Sequence, residues 1–187
     1  MPATSLDRKT ALILIDLQRG ILALPTAHPA AEVVARASRL AAAFRRRALP
    51  VVLVNVVGLA PGRTDEPRLV PDRFPEGWTE LTAELNPEPS DHRVSKRTWG
   101  AFTDTDLLEF LRREGATQVV IAGVATSVGV ESTARQAHEF GFNVTLAVDA
   151  MTDRSVEAHA YAAQRVFPRL GETATTDEIL VLVEAGS

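Results

Sequence analysis

The sequence predicts an α/β protein built as three layers around a doubly wound, mostly parallel sheet of about six strands, and three observations carry that expectation. Short, almost wholly apolar runs recur along the chain, as strands buried on both faces of a parallel sheet require. Between them lie segments with apolar residues at three- and four-residue spacing. The alternation implies right-handed crossovers rather than hairpins.

The first run is Ala11-Leu12-Ile13-Leu14-Ile15, which ends at Asp16. A helix follows in which Val33, Ala37, Leu40, Ala41 and Phe44 share one face, with Arg45, Arg46 and Arg47 in the last turn, where cations suit the helix dipole. Val51 to Val57 reads as the second strand and Arg93-Val94-Ser95 as a short one ending at Lys96. Thr103 to Arg113 predicts a helix with Thr103 or Thr105 as N-cap, Leu107, Leu108 and Leu111 facing inward, and Gly115 just past its end. Gln118 to Ala122 and Val144 to Val148 are further buried strands, separated by a helix marked by Val130, Ala134 and Ala137 and ended by Gly141. A helix from about Ser155 to Val166, an edge strand from Glu172 to Thr175 and a short helix from Thr176 to Glu184 complete the pattern.

Residues 58–89 interrupt the alternation, with six of the eleven prolines and no sustained period, and read either as a functional lid or as a disordered loop; Phe74 and Trp78 supply apolar anchors. The 187 residues otherwise fit one domain spanning 1–187.

Composition excludes several classes of function. There is no cysteine, hence no disulfide framework, no thiolate metal cluster and no cysteine nucleophile. Twenty basic against twenty-four acidic residues give a net charge of −4, which argues against a nucleic-acid partner. The opening MPATSLDRKT lacks the apolar core of a signal peptide and no apolar run suits a spanning helix, so a cytoplasmic protein without a membrane partner is expected. His28, His92, His138 and His159 are scattered with no ligand spacing, so neither a metal nor another cofactor is expected.

Three places could carry chemistry. Asp16 follows five apolar residues at the carboxyl end of a strand, where ligands bind in open parallel sheets; it reads as a site acid or as a cap, and Gln18 and Arg19 add polar groups at the same mouth. Lys96 is one of only two lysines among the twenty basic residues; it reads as a selected ammonium or as a solvated loop residue. Gly123-Val124-Ala125-Thr126-Ser127-Val128-Gly129 turns a strand into a helix, where small residues admit a ligand and backbone N–H groups favour developing negative charge; the simpler reading is a helix start capped by Thr126 or Ser127. No GxSxG elbow surrounds the hydroxyls of this turn.

Together these segments resemble the isochorismatase-like hydrolases, over ALILIDLQRG, VSKRTWGAFTDTDLLEFL and onward through VVIAGVATSVGVESTARQAHEFGFNVTLAVDAMTD to the ATTDEIL tail. The resemblance implies a Rossmann-like doubly wound fold and a small-molecule substrate. It aligns the family's acid with Asp16, its lysine with Lys96, and the nucleophilic cysteine of its GxxTxxCVxxTA segment with Gly129. Glycine there closes the thioester route of the amidase branch and resembles the isochorismatase branch, in which an aspartic acid protonates a vinyl ether and water completes the cleavage. The Ala125-Thr126-Ser127 segment, however, is that of the cysteine branch. The resemblance further implies a cis peptide at Val124–Ala125, no counterpart in NVVGLAPGRTD to the zinc ligands of nicotinamidases, and a homo-oligomer, dimer or tetramer.

The expected site thus comprises Asp16 as general acid/base, Lys96 to position and tune it, and Gly129 beside them. Gln18, Val124, Ala125, Thr126, Trp99 and Phe102 are expected to bind the substrate. The alternative is a catalytically inactive family member that binds small molecules or partners.

Overall fold

The computed structural model describes residues 3–65 and 74–185. The strands are β1 (Thr10–Ile15), β2 (Val51–Val56), β3 (His92–Lys96), β4 (Gln118–Val124), β5 (Asn143–Thr152) and β6 (Glu172–Ala174). The helices are α1 (Arg19–Leu22), α2 (Ala30–Arg46), α3 (Leu107–Arg113), α4 (Glu131–Glu139), α5 (Val156–Tyr161) and α6 (Thr176–Ala185). The sheet runs β3-β2-β1-β4-β5-β6 and every pairing in it is parallel. The chain winds outward from β1 through β2 to β3, then restarts at β4 on the other side. The strand order therefore reverses between β1 and β4.

The alternation of side chains across the pleat separates two cores. Leu12, Leu14, Leu53 and Val120 face α2 and α6, whose Val33, Ala37, Leu40, Phe44, Ile179 and Val183 are buried there. Ile13, Ile15, Val54 and Ile121 face the opposite layer, with Leu107 and Leu111 of α3 and Ala134 and Ala137 of α4. Sheet strands that read as continuous apolar runs are thus explained by burial on both sides.

Four details differ from the sequence expectations. The helix expected from Thr103 begins at Leu107; Thr105 acts just ahead of it, its Oγ1 accepting from Leu107 N at 3.4 Å and donating to the Ala101 carbonyl at 2.6 Å. β5 extends to Thr152, because its register against β4 jumps from Leu146 opposite Ile121 to Met151 opposite Gly123, and such a bulge breaks the apolar period after Val148. The one-turn α1 is too short to leave a periodic signal. The helix expected from about Ser155 to Val166 is capped by the Ser155 hydroxyl and becomes a wider π-type turn over Ala162–Val166.

Gly123 shows why a glycine stands near the end of β4. Its φ is +124° and a Cβ there would collide with the Ile15 carbonyl oxygen, so only glycine lets β4 approach β1 at this level.

Candidate active site

Asp16 leaves β1 with φ of 51°, in the left-handed region that aspartate tolerates better than most residues. Its N–H still donates to the Val54 carbonyl at 2.9 Å, so the chain turns while anchored to β2. Lys96 closes β3 opposite Val56 of β2, two strand spacings or about 10 Å from β1. The lysine stem, a hydrogen bond and the Asp16 side chain together cover that span: Nζ donates to Asp16 Oδ2 at 2.7 Å and to the Thr98 carbonyl at 3.1 Å.

Both members of the pair are buried, Asp16 to 5% and Lys96 to 2% exposure. Among the described residues, Asp16 Oδ1 is the buried side-chain oxygen or nitrogen left without a hydrogen-bond partner. Burial raises the Asp16 carboxyl from its ordinary 3.8 to about 6, outweighing the Lys96 charge and hydrogen bond that pull it down. A carboxyl poised there can either give or take a proton near neutral pH.

The third wall comes from the end of β4. The Val124–Ala125 peptide is cis, at the position that the family resemblance implied. Ala125 then opens a π-type turn over Thr126–Val130 that runs into α4. Gly129 lies in this turn, buried, and a Cβ built on it would stand 3.3 Å from Asp16 Oδ2, 3.0 Å from Ile15 Cγ2 and 3.4 Å from the Val124 carbonyl oxygen. Its own carbonyl accepts from the Thr133 hydroxyl at 2.7 Å. Neither Thr126 nor Ser127 caps the helix. Thr126 Oγ1 meets His159 Nδ1 at 2.9 Å, and Ser127 donates through N and Oγ to Asp153 Oδ2 at 2.7 and 2.8 Å. The N–H groups of Val128 and Val130 both go to the Ala125 carbonyl. The N–H groups of Ser127, Val128 and Val130 are thus taken up within the protein, so the polarising role expected of this backbone cannot rest on them.

The remaining expected residues are placed differently from one another. Val124 and Ala125 adjoin Gly129 at the end of β4. Gln18 is fully buried with its amide committed: Oε1 accepts from Val56 N at 2.7 Å, while Nε2 donates to Val56 O at 3.1 Å and Trp78 O at 3.2 Å. It ties β2 to the segment that crosses the strand ends. Trp99 is 61% exposed, whereas Phe102 is buried in the core against Phe140 and Phe142. The structure brings together Asp16, Lys96 and Gly129, and leaves these two aromatics on the surface and in the core.

The segment after residue 73 is built onto the mouth of the site. Arg19 N donates to Glu80 O, Gly20 N to Trp78 O, and Thr82 N to Leu17 O, while Phe74 stacks on Trp78 at 4.4 Å. Trp78 lies where a Cβ on Gly20 would be. This half of the 58–89 stretch is ordered by those contacts; residues 66–73 of it lie outside the described residues.

Sequence reasoning missed a polar cluster beside the turn. Asp153 accepts from Ser127 and, through Oδ1, from Arg154 N at 2.7 Å. The His28 and His159 rings meet edge to face at 4.6 Å, and His28 Nδ1 lies 3.1 Å from Thr152 Oγ1. Asp153 carried a usable signal, since it ends an apolar strand much as Asp16 does. The two histidines carried none, being 131 positions apart. Among the described residues, no three His, Asp or Glu side chains gather as metal ligands do.

Comparison with known proteins places this architecture. The isochorismatase domain matches residues 10–178. The isochorismatase family protein YecD of Escherichia coli O157:H7 is 42% identical over 182 residues, covering 92% of this chain and 95% of that protein. The isochorismatase of Bacillus subtilis is 30% identical over 183 residues, covering 93% of this chain but 58% of that protein. An isochorismatase family structure from Burkholderia thailandensis superposes with a TM-score of 0.92 at 39% identity, over 96% of this chain and 98% of that one.

Proposed function

Because this chain belongs to the isochorismatase family, a family of hydrolases, we propose that Asp16 is its general acid/base and acts on a small molecule without metal or thiol. The observation that carries the proposal is the unpartnered Oδ1 of a buried carboxyl whose other oxygen is held by Lys96. A buried, half-satisfied carboxylate is costly for a fold and is explained when a substrate atom completes it.

In this reading Lys96 fixes the carboxyl through Oδ2 and leaves Oδ1 to deliver its proton. With a vinyl ether, the proton adds to carbon, water attacks the resulting cation, and the hemiketal separates into a carbonyl compound and an alcohol. No enzyme adduct forms. Gly129, where the family's cysteine would stand, puts no side chain against the carboxyl, and a Cβ there would be crowded by Ile15 and Asp16. Val124, Ala125 and Thr126 form the adjoining wall, and Gln18 holds that mouth in shape from beneath. The same reading has the protein cytoplasmic and assembled as a dimer or tetramer; among the described residues no helix is long and apolar enough to cross a membrane.

Gly129 also favours a second reading, a family member that retains the pocket and binds without turnover. One screen separates the two. The pure protein is offered vinyl ethers, amides, ureides and esters, with Asp16→Asn in parallel and with chelator and thiol reagent added. Turnover that the variant loses and the reagents spare supports the hydrolase. Binding without turnover in any class supports the second reading, and zinc-restored activity overturns the metal-free one.

A further inference from the structure

The Thr126–Val130 turn is fastened from three sides. Thr133 holds the carbonyl of Gly129, Asp153 holds Ser127, and His159 of α5 holds Thr126 across 33 residues of chain. The first two are ordinary anchors of a turn to its own helix and to the neighbouring strand end. The third is not. Thr126 is fully buried, and a buried hydroxyl at a helix start usually turns to its own backbone. Here its partner among the described residues is an imidazole nitrogen on another helix.

We propose that His159 is a positioning residue, which by engaging the Thr126 hydroxyl fixes the turn and hence the face that Gly129 presents to Asp16. The inference rests on the reading of Asp16, Lys96 and Gly129 as the reacting site.

The titratable groups that act on the His159 ring come from two elements, the loop before α2 and the end of β5. His28 approaches edge to face from the loop before α2 and is itself held by Thr152, through its N–H at 3.0 Å and its Nδ1 at 3.1 Å. Asp153 stands at the end of β5. On α5 itself, the Glu157 carboxylate is engaged by the Ser155 hydroxyl. Burial first and the neighbouring His28 second hold the His159 pKa below the ordinary range, against the pull of Asp153. The ring is therefore neutral at pH 7. With Nδ1 as acceptor, the neutral ring takes the Thr126 O–H and no buried hydroxyl proton is left over. A protonated ring must instead donate from Nδ1, which forces the Thr126 proton to turn away. In the neutral tautomer that carries its proton on Nε2 the bond thus has one arrangement, and a single arrangement is what a positioning contact needs.

The test places a thiol at the position in question. Gly129→Cys is alkylated with iodoacetamide between about pH 5 and 9 in the parent background and with His159→Asn or His159→Leu. Asn offers a polar atom near the place of Nδ1 and does not titrate; Leu fills the space and offers none. The expected result is that Leu slows alkylation about tenfold and shifts its pH dependence, while Asn restores the rate to within about threefold. Equal behaviour of Asn and Leu, or a Leu variant with an unchanged pH profile, overturns the inference.

A second measurement needs no folded His159 variant. In the parent protein, the ring ¹⁵N spectrum of His159 is expected to show a single tautomer with a hydrogen-bonded Nδ1, which Thr126→Val releases. A spectrum that Thr126→Val leaves unchanged overturns the inference as well. Gly129→Cys with Lys96→Met is the control for the underlying reading: if that pair shows the thiol indifferent to Lys96 while the ¹⁵N result holds, the site assignment fails and the His159 contact stands.

Discussion

Arg45 and Asp91 form a buried ion pair of 2.8 Å, and Lys96 and Asp16 form another of 2.7 Å. Their lengths and burial are alike; their completeness is not. Asp91 accepts from Arg45 Nε at 3.0 Å and Nη2 at 2.8 Å, and from Glu88 N at 2.7 Å. Arg45 also donates to the Leu85 carbonyl. The planar fork and the carboxylate saturate each other, and the pair joins the end of α2 to the segment before β3. The point charge of Lys96 reaches one oxygen of Asp16 and leaves the other bare. The first pair is complete within the fold, whereas the second leaves Asp16 Oδ1 without a partner among the described residues.

The sharpest way to break the comparison is to remove one carboxylate from each pair. Asp16→Asn is expected to cut turnover on whichever substrate the screen identifies by about 10²–10⁴-fold. Asp91→Ala is expected to leave turnover within a few-fold while lowering unfolding free energy by about 3–5 kcal/mol, as stranded buried charges do. Steady-state kinetics and urea denaturation on both variants decide it. A dead Asp91→Ala enzyme that is still folded would erase the distinction.

Lys96→Met comes next. Turnover should fall about a hundredfold through lost positioning of the acid, and the Asp16 pKa should climb above about 6 because its cation is gone. The double variant Asp16→Asn, Lys96→Met should be less destabilised than the sum of the single changes, since neither charge is then stranded.

The titration of Asp16 sharpens the contrast further. As general acid, it should give a kcat/KM that falls about tenfold per pH unit above roughly pH 6; a profile that rises through the same pH would assign it as base. The stability consequence has a definite sign. The folded state binds this proton more tightly than the unfolded chain, so the contribution is largest below about pH 4 and is lost as pH rises through about 6. Asp16→Asn should remove that part of the pH dependence of unfolding.

Gly129→Ala should have the smallest effect. Crowding of Ile15 and Asp16 works against a helix-propensity gain of about 1 kcal/mol, so stability should change little while turnover falls about fivefold. Thermal melts and kinetics on the same preparation check both halves.

Much of this architecture is legible in the sequence, for physical reasons that also mark the limits. β1 and β4 are buried on both faces and so are apolar after their first residue, and β2 departs from that pattern only at the half-buried Asn55. Asp16 and Lys96 could be picked out because each is a charge placed where a strand ends, and Lys96 because arginine is used nearly everywhere else. The late half of β5 was hidden by its bulge, which destroys the period. Trp99 and Phe102 lie three positions apart, one exposed and the other buried, and composition alone cannot separate them. The partners of the Gln18 amide, the backbone of Val56 and Trp78, could not be read from the sequence because they exist only once the chain has crossed over itself. His28 and His159 meet for the same reason.

Lys96 stands on β3, which borders the described sheet on one side and is paired only with β2. Outer strands open locally at lower free energy than central ones. Each such excursion withdraws the cation and strands the carboxyl in its apolar seat, while β1 and Asp16 stay in place. The lifetime of the charged pair is consequently set at the periphery of the sheet, and amide exchange along residues 93–96 should report the same opening events that interrupt the pair.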